Sequence, residues 1–375
     1  MLKTSFLGMK LKNPVFIAAG PWNRDGRGLH NSIAAGAGAV VTESIVSDTM
    51  LDVRPRIASD SMGAQNIRLY SDIQIEGWER EMEIARLGKG PDGRGAAIIA
   101  SISGHSPSEL AYMASKMEKY GADAIELSVS NPAIEALEVI ASHSDIIFDM
   151  TKEVVGSVKI PVLVKLSQNT TNISKVARAV KDAGGAGVSA INTVRGILGV
   201  DIETASPSLA TYGGISGKYI RPLGLASVAT ISQTVDIPIS GIGGIDSAYA
   251  AIEYMMLGAC TVQVATAVML GGRDAVAGIL QEMEEWGREH NLKNISDIRG
   301  AALDKLKAFD EMKFEPAVSR ASSVACRESC SKCIDTCMYG AISRSGDSIR
   351  VDRIRCTGCG LCNSVCPAKK LKLSW

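Results

Sequence analysis

No stretch of this 375-residue chain reaches the roughly 18 consecutive apolar residues that a membrane helix needs, so no membrane partner is expected. The opening MLKTSFLGMK has no apolar core of the length a secretion signal carries. A surplus of one charge is also missing: 40 Lys and Arg stand against 40 Asp and Glu. Without a basic excess, nucleic acid is not an expected partner. Cysteine is nearly absent before residue 326, where Cys260 alone occurs and reads as a small core hydrophobe. These absences lead to the expectation of a soluble, cytoplasmic protein. What is present is ordinary globular material, 46% hydrophobic and 21% charged, with enough apolar mass for a sizeable core. The length predicts two domains, or one large barrel plus an appendage.

Up to about residue 315 short apolar runs alternate with helical patterns, the signature of βα units around a parallel sheet. Strands are expected at 13–19, 38–44, 97–103, 123–129, 161–166, 187–192, 237–241 and 259–265, with helices such as 107–120, 173–183 and 247–256 between them. Eight such units give the arithmetic of a (β/α)8 TIM barrel, an α/β fold of ~250 residues. The rival, a doubly wound open sheet, wants a G-x-G-x-x-G turn after its first strand, and the run Ala19, Gly20, Pro21, Trp22, Asn23 is not one. The expected division is a barrel over 1–315 and a small domain over 316–375.

Barrel chemistry sits at the C-terminal strand ends, with phosphate sites favoured after the seventh and eighth strands. After the seventh the chain reads SGIGGID from Ser240 to Asp246, and glycines there let backbone N–H groups approach an anion. The eighth ends in Val264, Ala265, Thr266, Ala267, adding backbone donors and a hydroxyl. Tight turns alone would explain one such loop; two at the two expected strands favour phosphate. Lys165 closes the fifth strand with its side chain due at the mouth, where a cation suits negative charge developing on a bound redox ring; a solvated lysine is the plain alternative. Asn192 and Thr193 close the sixth and can hydrogen-bond carbonyls. The segment 211–217, TYGGISG, reads as a loop laid against a cofactor.

Eight of the nine cysteines fall in the last 50 residues. Cys356, Cys359, Cys362 and Cys366, followed by Pro367, make the C-x2-C-x2-C-x3-C-P run of bacterial ferredoxins. The earlier run, Cys326, Cys330, Cys333 and Cys337, has one extra residue in its first gap and Met338 where a proline is usual. Since the fourth cysteine of each run ligates the other cluster, one [4Fe-4S] cluster is expected on Cys326, Cys330, Cys333 and Cys366 and another on Cys356, Cys359, Cys362 and Cys337. Zinc, the alternative, favours two CxxC pairs with a longer separation. From Ala321 to Trp375 nine Lys and Arg face four Asp and Glu, an excess that offsets anionic clusters, forms a solvated face or docks an acidic carrier.

Nearly the whole chain resembles a known family. The barrel is similar to the FMN-binding barrel of dihydroorotate and dihydropyrimidine dehydrogenases, and barrel plus cysteine tail resembles the bacterial dihydropyrimidine dehydrogenase iron-sulfur subunit. The motifs that carry the likeness are KLSQNTTNI from Lys165, SAINTV from Ser189, TYGGISG from Thr211 and PISGIGGI from Pro238. The resemblance implies FMN, with Ala18 or Ala19 lining the flavin and Ser44 touching it. It places Asn66, Ser128, Asn192 and Thr193 at flavin or substrate and Lys165 at the flavin N1 edge. Gly217, Gly243, Gly244, Ala265 and Thr266 hold the phosphate end.

The departures bear on substrate. Glu43 stands where the family has lysine (VVTKS), Ser128 where it has asparagine (LNLSCPN), and Asn131 where its acid-base cysteine falls. Asparagine cannot carry that proton. Arg68 replaces a glutamate of the pyrimidine enzyme and either clamps a carboxylate or pairs with Glu43. Candidate replacement proton donors are His105, Tyr70, Glu43 and Ser130, with His105 first because imidazole titrates near neutrality. The expected activity is CH–CH oxidoreduction of a small cyclic or carboxylated substrate, with electrons leaving through the clusters. With no dinucleotide fingerprint in the chain, the implied partner is a ferredoxin or an NAD(P)H-oxidising flavoprotein subunit, in a homodimer or hetero-oligomer. The alternative is an electron-transfer subunit whose barrel has lost its own catalysis.

Overall fold

The computed structural model describes residues 1–49, 53–67, 70–312, 317–322, 326 and 330–373. They form two compact units, Met1–Leu306 and Lys307–Trp375. In the first unit eight parallel strands close a barrel. They are β1 (Val15–Ile17), β2 (Ala39–Val41), β3 (Ala97–Ile102), β4 (Ala124–Ser128), β5 (Val162–Leu166), β6 (Gly187–Ala190), β7 (Ile239–Ile242) and β8 (Thr261–Val264). Closure is made by β8 on β1, with Ile17 opposite Val264, and by the ladder running through β5, β6 and β7.

These strands are nearly continuous apolar runs because helices cover the outer face while the barrel fills its own inside. Helices begin where a short polar side chain satisfies the first free N–H groups. Ser106 accepts from Glu109 N ahead of Pro107–Lys119, Asn172 from Lys175 N ahead of Ile173–Asp182, and Ser247 from Ala250 N ahead of Ala248–Met256. The expected strands 38–44 and 187–192 overrun β2 and β6, whose regular pairing ends at Val41 and Ala190, although Thr42 N still donates to Ile99 O, Ile191 N to Ile242 O and Asn192 N to Leu166 O as the chain reaches the mouth.

Side chains inside the barrel lie in layers, two residues apart along each strand. The lower layer is apolar: Phe16, Ala39, Val41, Ile99, Ala124 and Leu163 pack with Phe6 and Leu11 of an N-terminal hairpin (Thr4–Phe6 with Met9–Leu11) that plugs the floor. The rings of Phe6 and Phe16 meet edge to face at 5.9 Å. One step up the interior becomes polar, with Glu126 two residues after Ala124, Lys165 after Leu163 and Gln263 after Thr261, all buried.

Two excursions build a second, antiparallel sheet in the order Val194–Gly196, Gly213–Gly217, Gly63–Asn66, Ile57–Ser59. The segment 211–217, expected as a loop, therefore holds a strand, whose glycines let two neighbouring strands approach closely. Gly217 faces Gly63 across this sheet.

The second unit pairs Arg320–Ala321 with Leu371–Lys372, adds a hairpin (Ile342–Ser345 with Ser348–Val351) and carries two short helices, Lys332–Asp335 and Leu361–Val365. Its buried centre is Cys333, Ile342, Cys362 and Leu371. No helix among the described residues is long and apolar enough to cross a membrane.

Candidate functional site

A cavity of about 410 Å3 opens at the C-terminal ends of the barrel strands, within the size range of small-molecule and cofactor sites. One end is made of backbone. Gly243 and Gly244 follow β7, Ala265 and Thr266 follow β8, and Gly217 arrives from the antiparallel sheet. Gly244 has φ +68°, and a Cβ there would lie 2.6 Å from Gly217 O and 2.7 Å from Arg221 Cβ. Gly217 has φ +82°, and its Cβ would meet Gly63 Cα at 2.5 Å. Only glycine fits these two positions, and their bare backbone forms a cradle. Behind it Tyr254 donates to Gly243 O at 2.7 Å, and burial pushes its phenol far above the usual range. Thr266 Oγ1 donates to Ser216 Oγ at 2.8 Å and ties the eighth loop to the sheet. At the rim, Lys218 Nζ sits 2.9 Å from Asp246, so this end holds a paired acid as well as donors.

The centre is charged. Lys165, buried, stands 3.7 Å from Glu126 Oε1, too far for a hydrogen bond. Glu126 Oε2 accepts from Ser189 Oγ at 2.6 Å and from Gln263 Nε2 at 3.3 Å. The carboxylate thus anchors the floor of the cavity and leaves the Lys165 ammonium facing into it.

The other end is made of side chains. Asn192 lines it, but its Nδ2 donates to Ser130 O at 3.0 Å and to Ser130 Oγ at 2.7 Å, while its Oδ1 accepts from Thr193 N at 2.8 Å. Its amide thus fixes the loop after β4 rather than standing free for a ligand. Asn131 Oδ1 accepts from Ala133 N at 3.0 Å, and both Asn131 and Tyr70 line the cavity. Tyr70 is half-buried, and the Asn131 and Ser103 side chains act on its phenol as hydrogen-bonding neighbours that favour its charged form. Burial raises its phenol above the ordinary value, with the Glu109 charge adding to this against the two hydrogen bonds.

Ala19, Glu43, Ser44, Asn66, Ser128, Ser130, Lys165, Asn192, Thr193, Gly217, Gly243, Gly244, Ala265 and Thr266 all line the one cavity. Two expected residues do not. Ala18 is fully buried behind the lining, its carbonyl accepting from Trp22 Nε1 at 2.8 Å. His105 is exposed on the loop after β3, where its backbone N–H donates to Glu109 Oε2 at 2.8 Å; its ring is not part of the lining, because helix capping holds this loop outside the mouth. Arg68 lies outside the described residues.

The lining also contains Gln263, Ser61, Met62, Lys218 and Asp246, which the sequence reading passed over. Gln263 was accessible through the two-residue period from Thr261. Lys218 and Asp246 immediately follow motifs already singled out, and Ser61 and Met62 belong to an excursion whose pairing no local pattern announces.

In the second unit two small cavities are lined by cysteines: one by Cys326, Cys330, Cys333 and Cys366, the other by Cys337, Cys356, Cys359 and Cys362. Burial raises the Cys333 thiol, with the neighbouring Cys366, Cys326 and Cys330 adding to it. Burial works the same way on Cys366, but backbone N–H groups led by Lys370 outweigh it and hold that thiol below its usual value. Lys370 N reaches Cys366 Sγ at 3.3 Å, and Ala341 N reaches Cys337 Sγ at 3.3 Å. Among the described residues no three ligating side chains converge on a point suited to a single metal ion.

The profile of the dihydroorotate dehydrogenase family matches residues 1–286. The chain is 38% identical over 307 residues to the dihydroorotate dehydrogenase B (NAD(+)) catalytic subunit of Methanocaldococcus jannaschii, covering 80% of this chain and 98% of that one. It is 33% identical over 306 residues to the protein of the same name from Pyrococcus abyssi, covering 81% and 99%. It is 30% identical over 331 residues to the chloroplastic dihydropyrimidine dehydrogenase (NADP(+)) of Arabidopsis thaliana, covering 80% and 77%. The closed barrel, the cavity at its strand ends and these matches agree: the chain belongs to the dihydroorotate dehydrogenase family.

Proposed function

We propose that this FMN-dependent CH–CH oxidoreductase acts on a small cyclic or carboxylated unsaturated substrate and exchanges electrons through two [4Fe-4S] clusters in its C-terminal unit. The observation that carries the reading is the cavity itself, with a glycine cradle at one end, a buried lysine at its centre and hydrogen-bonding side chains at the other.

The residues fit a flavin mononucleotide. The bare backbone of Gly217, Gly243 and Gly244, with Thr266 beside it, accepts a phosphate because N–H groups there are reachable without any Cβ in the way. Lys165 would stand by the ring and favour its anionic reduced form, with Glu126 fixing the position of the ammonium. When bound, the flavin supplies two-electron chemistry on the carbon side and one-electron chemistry on the cluster side. Asn192 holds the Ser130 loop in place, and Glu43, Ser128 and Asn131 give the reacting end a composition unlike that of the pyrimidine enzymes. Dihydroorotate and dihydropyrimidines, named in the relatives, are accordingly the first substrates to test rather than the favoured ones.

The cysteines fit cubane clusters. Each cavity draws three cysteines from one run and the fourth from the other, as the two-cluster ferredoxin arrangement requires. N–H donation to Cys366 and Cys337 favours bound thiolate. The electron partner is a ferredoxin or an NAD(P)H-oxidising flavoprotein subunit, in line with the relatives described as catalytic subunits. The second reading, a relay subunit without catalysis of its own, rests on Asn131 at the acid-base position.

The test is anaerobic. The holoprotein is reduced, then flavin absorbance is followed after adding orotate, uracil, thymine, fumarate or other unsaturated carboxylates. Reoxidation by a carboxylate alone supports the proposed substrate class. Reoxidation by orotate, uracil or thymine would place the substrate with those named in the relatives, failure of every small molecule overturns the substrate class, and reoxidation by a carrier protein only favours the relay.

A further inference from the structure

The family likeness assigns the proton step to residue 131, where this chain has an amide that cannot perform it. Resting on the oxidoreductase reading above, we infer that Tyr70 is the catalytic acid for C=C reduction and that Asn131 and Ser103 serve it.

The geometry runs as follows. Tyr70 lines the cavity together with Asn66, Ser130 and Asn131. Asn131, whose Oδ1 accepts from Ala133 N at 3.0 Å, lines the cavity with Tyr70, and its side chain favours the charged form of the phenol. Ser103, buried at the end of β3, is the second partner of the same oxygen. Both neighbours favour the charged oxygen that is left behind once the phenol has given its proton to the cavity. Residue 131 has exchanged carrying the proton for holding the group that carries it.

A phenol is protonated at neutral pH, which suits an acid, and burial with the Glu109 charge reinforces this. The charged groups sharing this cavity are Glu43 and Lys165, with Asp246 and Lys218 paired at the far rim. In the reduction the C=C π bond breaks and two C–H bonds form. One carbon would receive the electron pair with one hydrogen from a bound reduced flavin. Tyr70 Oη–H gives the proton to the other, and the phenolate recovers a proton from water.

The probe is nitrocyclohexene, whose two C–H bond formations are separately visible because addition of the electron pair leaves an ultraviolet-absorbing nitronate until a proton arrives. It is mixed anaerobically with reduced, FMN-loaded wild type and Tyr70→Phe. The expected result is flavin reoxidation within a few-fold of wild type but nitronate decay slowed on the enzyme by roughly 100-fold or more, the range of general acids. Asn131→Leu slows the decay less. Equal decay in wild type and Tyr70→Phe overturns the assignment. Failure of nitrocyclohexene, maleimide, orotate and fumarate alike to reoxidise the flavin overturns the oxidoreductase reading of this cavity and the Tyr70 role with it. A turnover-free check uses NMR of ring-labelled tyrosine in the oxidised holoprotein, the Tyr70 signal being the one lost in Tyr70→Phe. That signal shifts on adding nitrocyclohexene; an unmoved signal contradicts contact with the ligand.

Discussion

In the barrel most of the packing lies away from the cavity: Phe6, Phe16, Val41, Ile99 and Leu163 pack the floor while Lys165, Asn192 and Thr266 stand at the mouth, and a few core residues, Ile191, Ile220 and Ile245 among them, also line it. In the C-terminal unit the sets overlap, since Cys333 and Cys362 are both buried core and proposed ligands. A barrel can therefore keep its fold without its cofactor. A unit this small gains only ~3–5 kcal/mol from a single core, so ligand binding there is also folding.

The largest expected effect breaks the comparison if it fails. Stripping iron from the holoprotein with an anaerobic chelator unfolds residues 307–375 and leaves 1–306 intact, read by limited proteolysis and hydrogen exchange. Equal protection of both units afterwards contradicts the contrast. Next is Phe16→Ala in the barrel floor, expected to cost ~3–5 kcal/mol in chemical denaturation while FMN affinity at temperatures below the melt stays close to wild type. Loss of FMN binding in the folded variant would show that floor and mouth are not separate.

Gly244→Val has the opposite profile. The added carbon atoms collide with Gly217 O and Arg221, a strain of ~1–3 kcal/mol that is expected to weaken FMN binding about 10- to 100-fold by fluorescence titration. Unchanged affinity would remove the cradle from the site. The smallest effect concerns Glu138, which accepts from Asn169 Nδ2 at 2.5 Å and from Ser167 Oγ at 3.5 Å near the mouth. Burial raises its carboxyl above the usual value. A raised acid contributes stability that is full below its unfolded pKa and is lost as pH rises through the folded one. As pH rises above the ordinary carboxylate range, Glu138→Gln should thus lose less melting temperature than wild type. A decline of equal slope in both would mean the carboxyl is not strained.

The barrel was legible because its signals are periodic and local. Runs such as Ala97–Ile102 are bounded by glycine and aspartate, and Ser106, Asn172 and Ser247 mark helix starts by their own chemistry. The glycine cradle was legible for a related reason: a cavity end made of backbone needs glycine, and glycine shows in the sequence. The reacting end was less so. His105 looked suitable by residue type, but the turn of its loop puts it on the surface. Tyr70 was a weaker candidate until the structure placed it against Asn131 and Ser103, a meeting of three segments distant along the chain. Gln263 and Glu126 meet across the barrel at 3.3 Å, and no local pattern encodes that pairing.

The most direct test of the account is the composition of the anaerobically purified chain, with its reductive titration followed by absorbance and electron paramagnetic resonance. The expected result is one FMN with roughly eight iron and eight sulfide per chain, the flavin and two four-iron clusters all reducible. Zinc without sulfide, or a chain that binds no flavin, would contradict it.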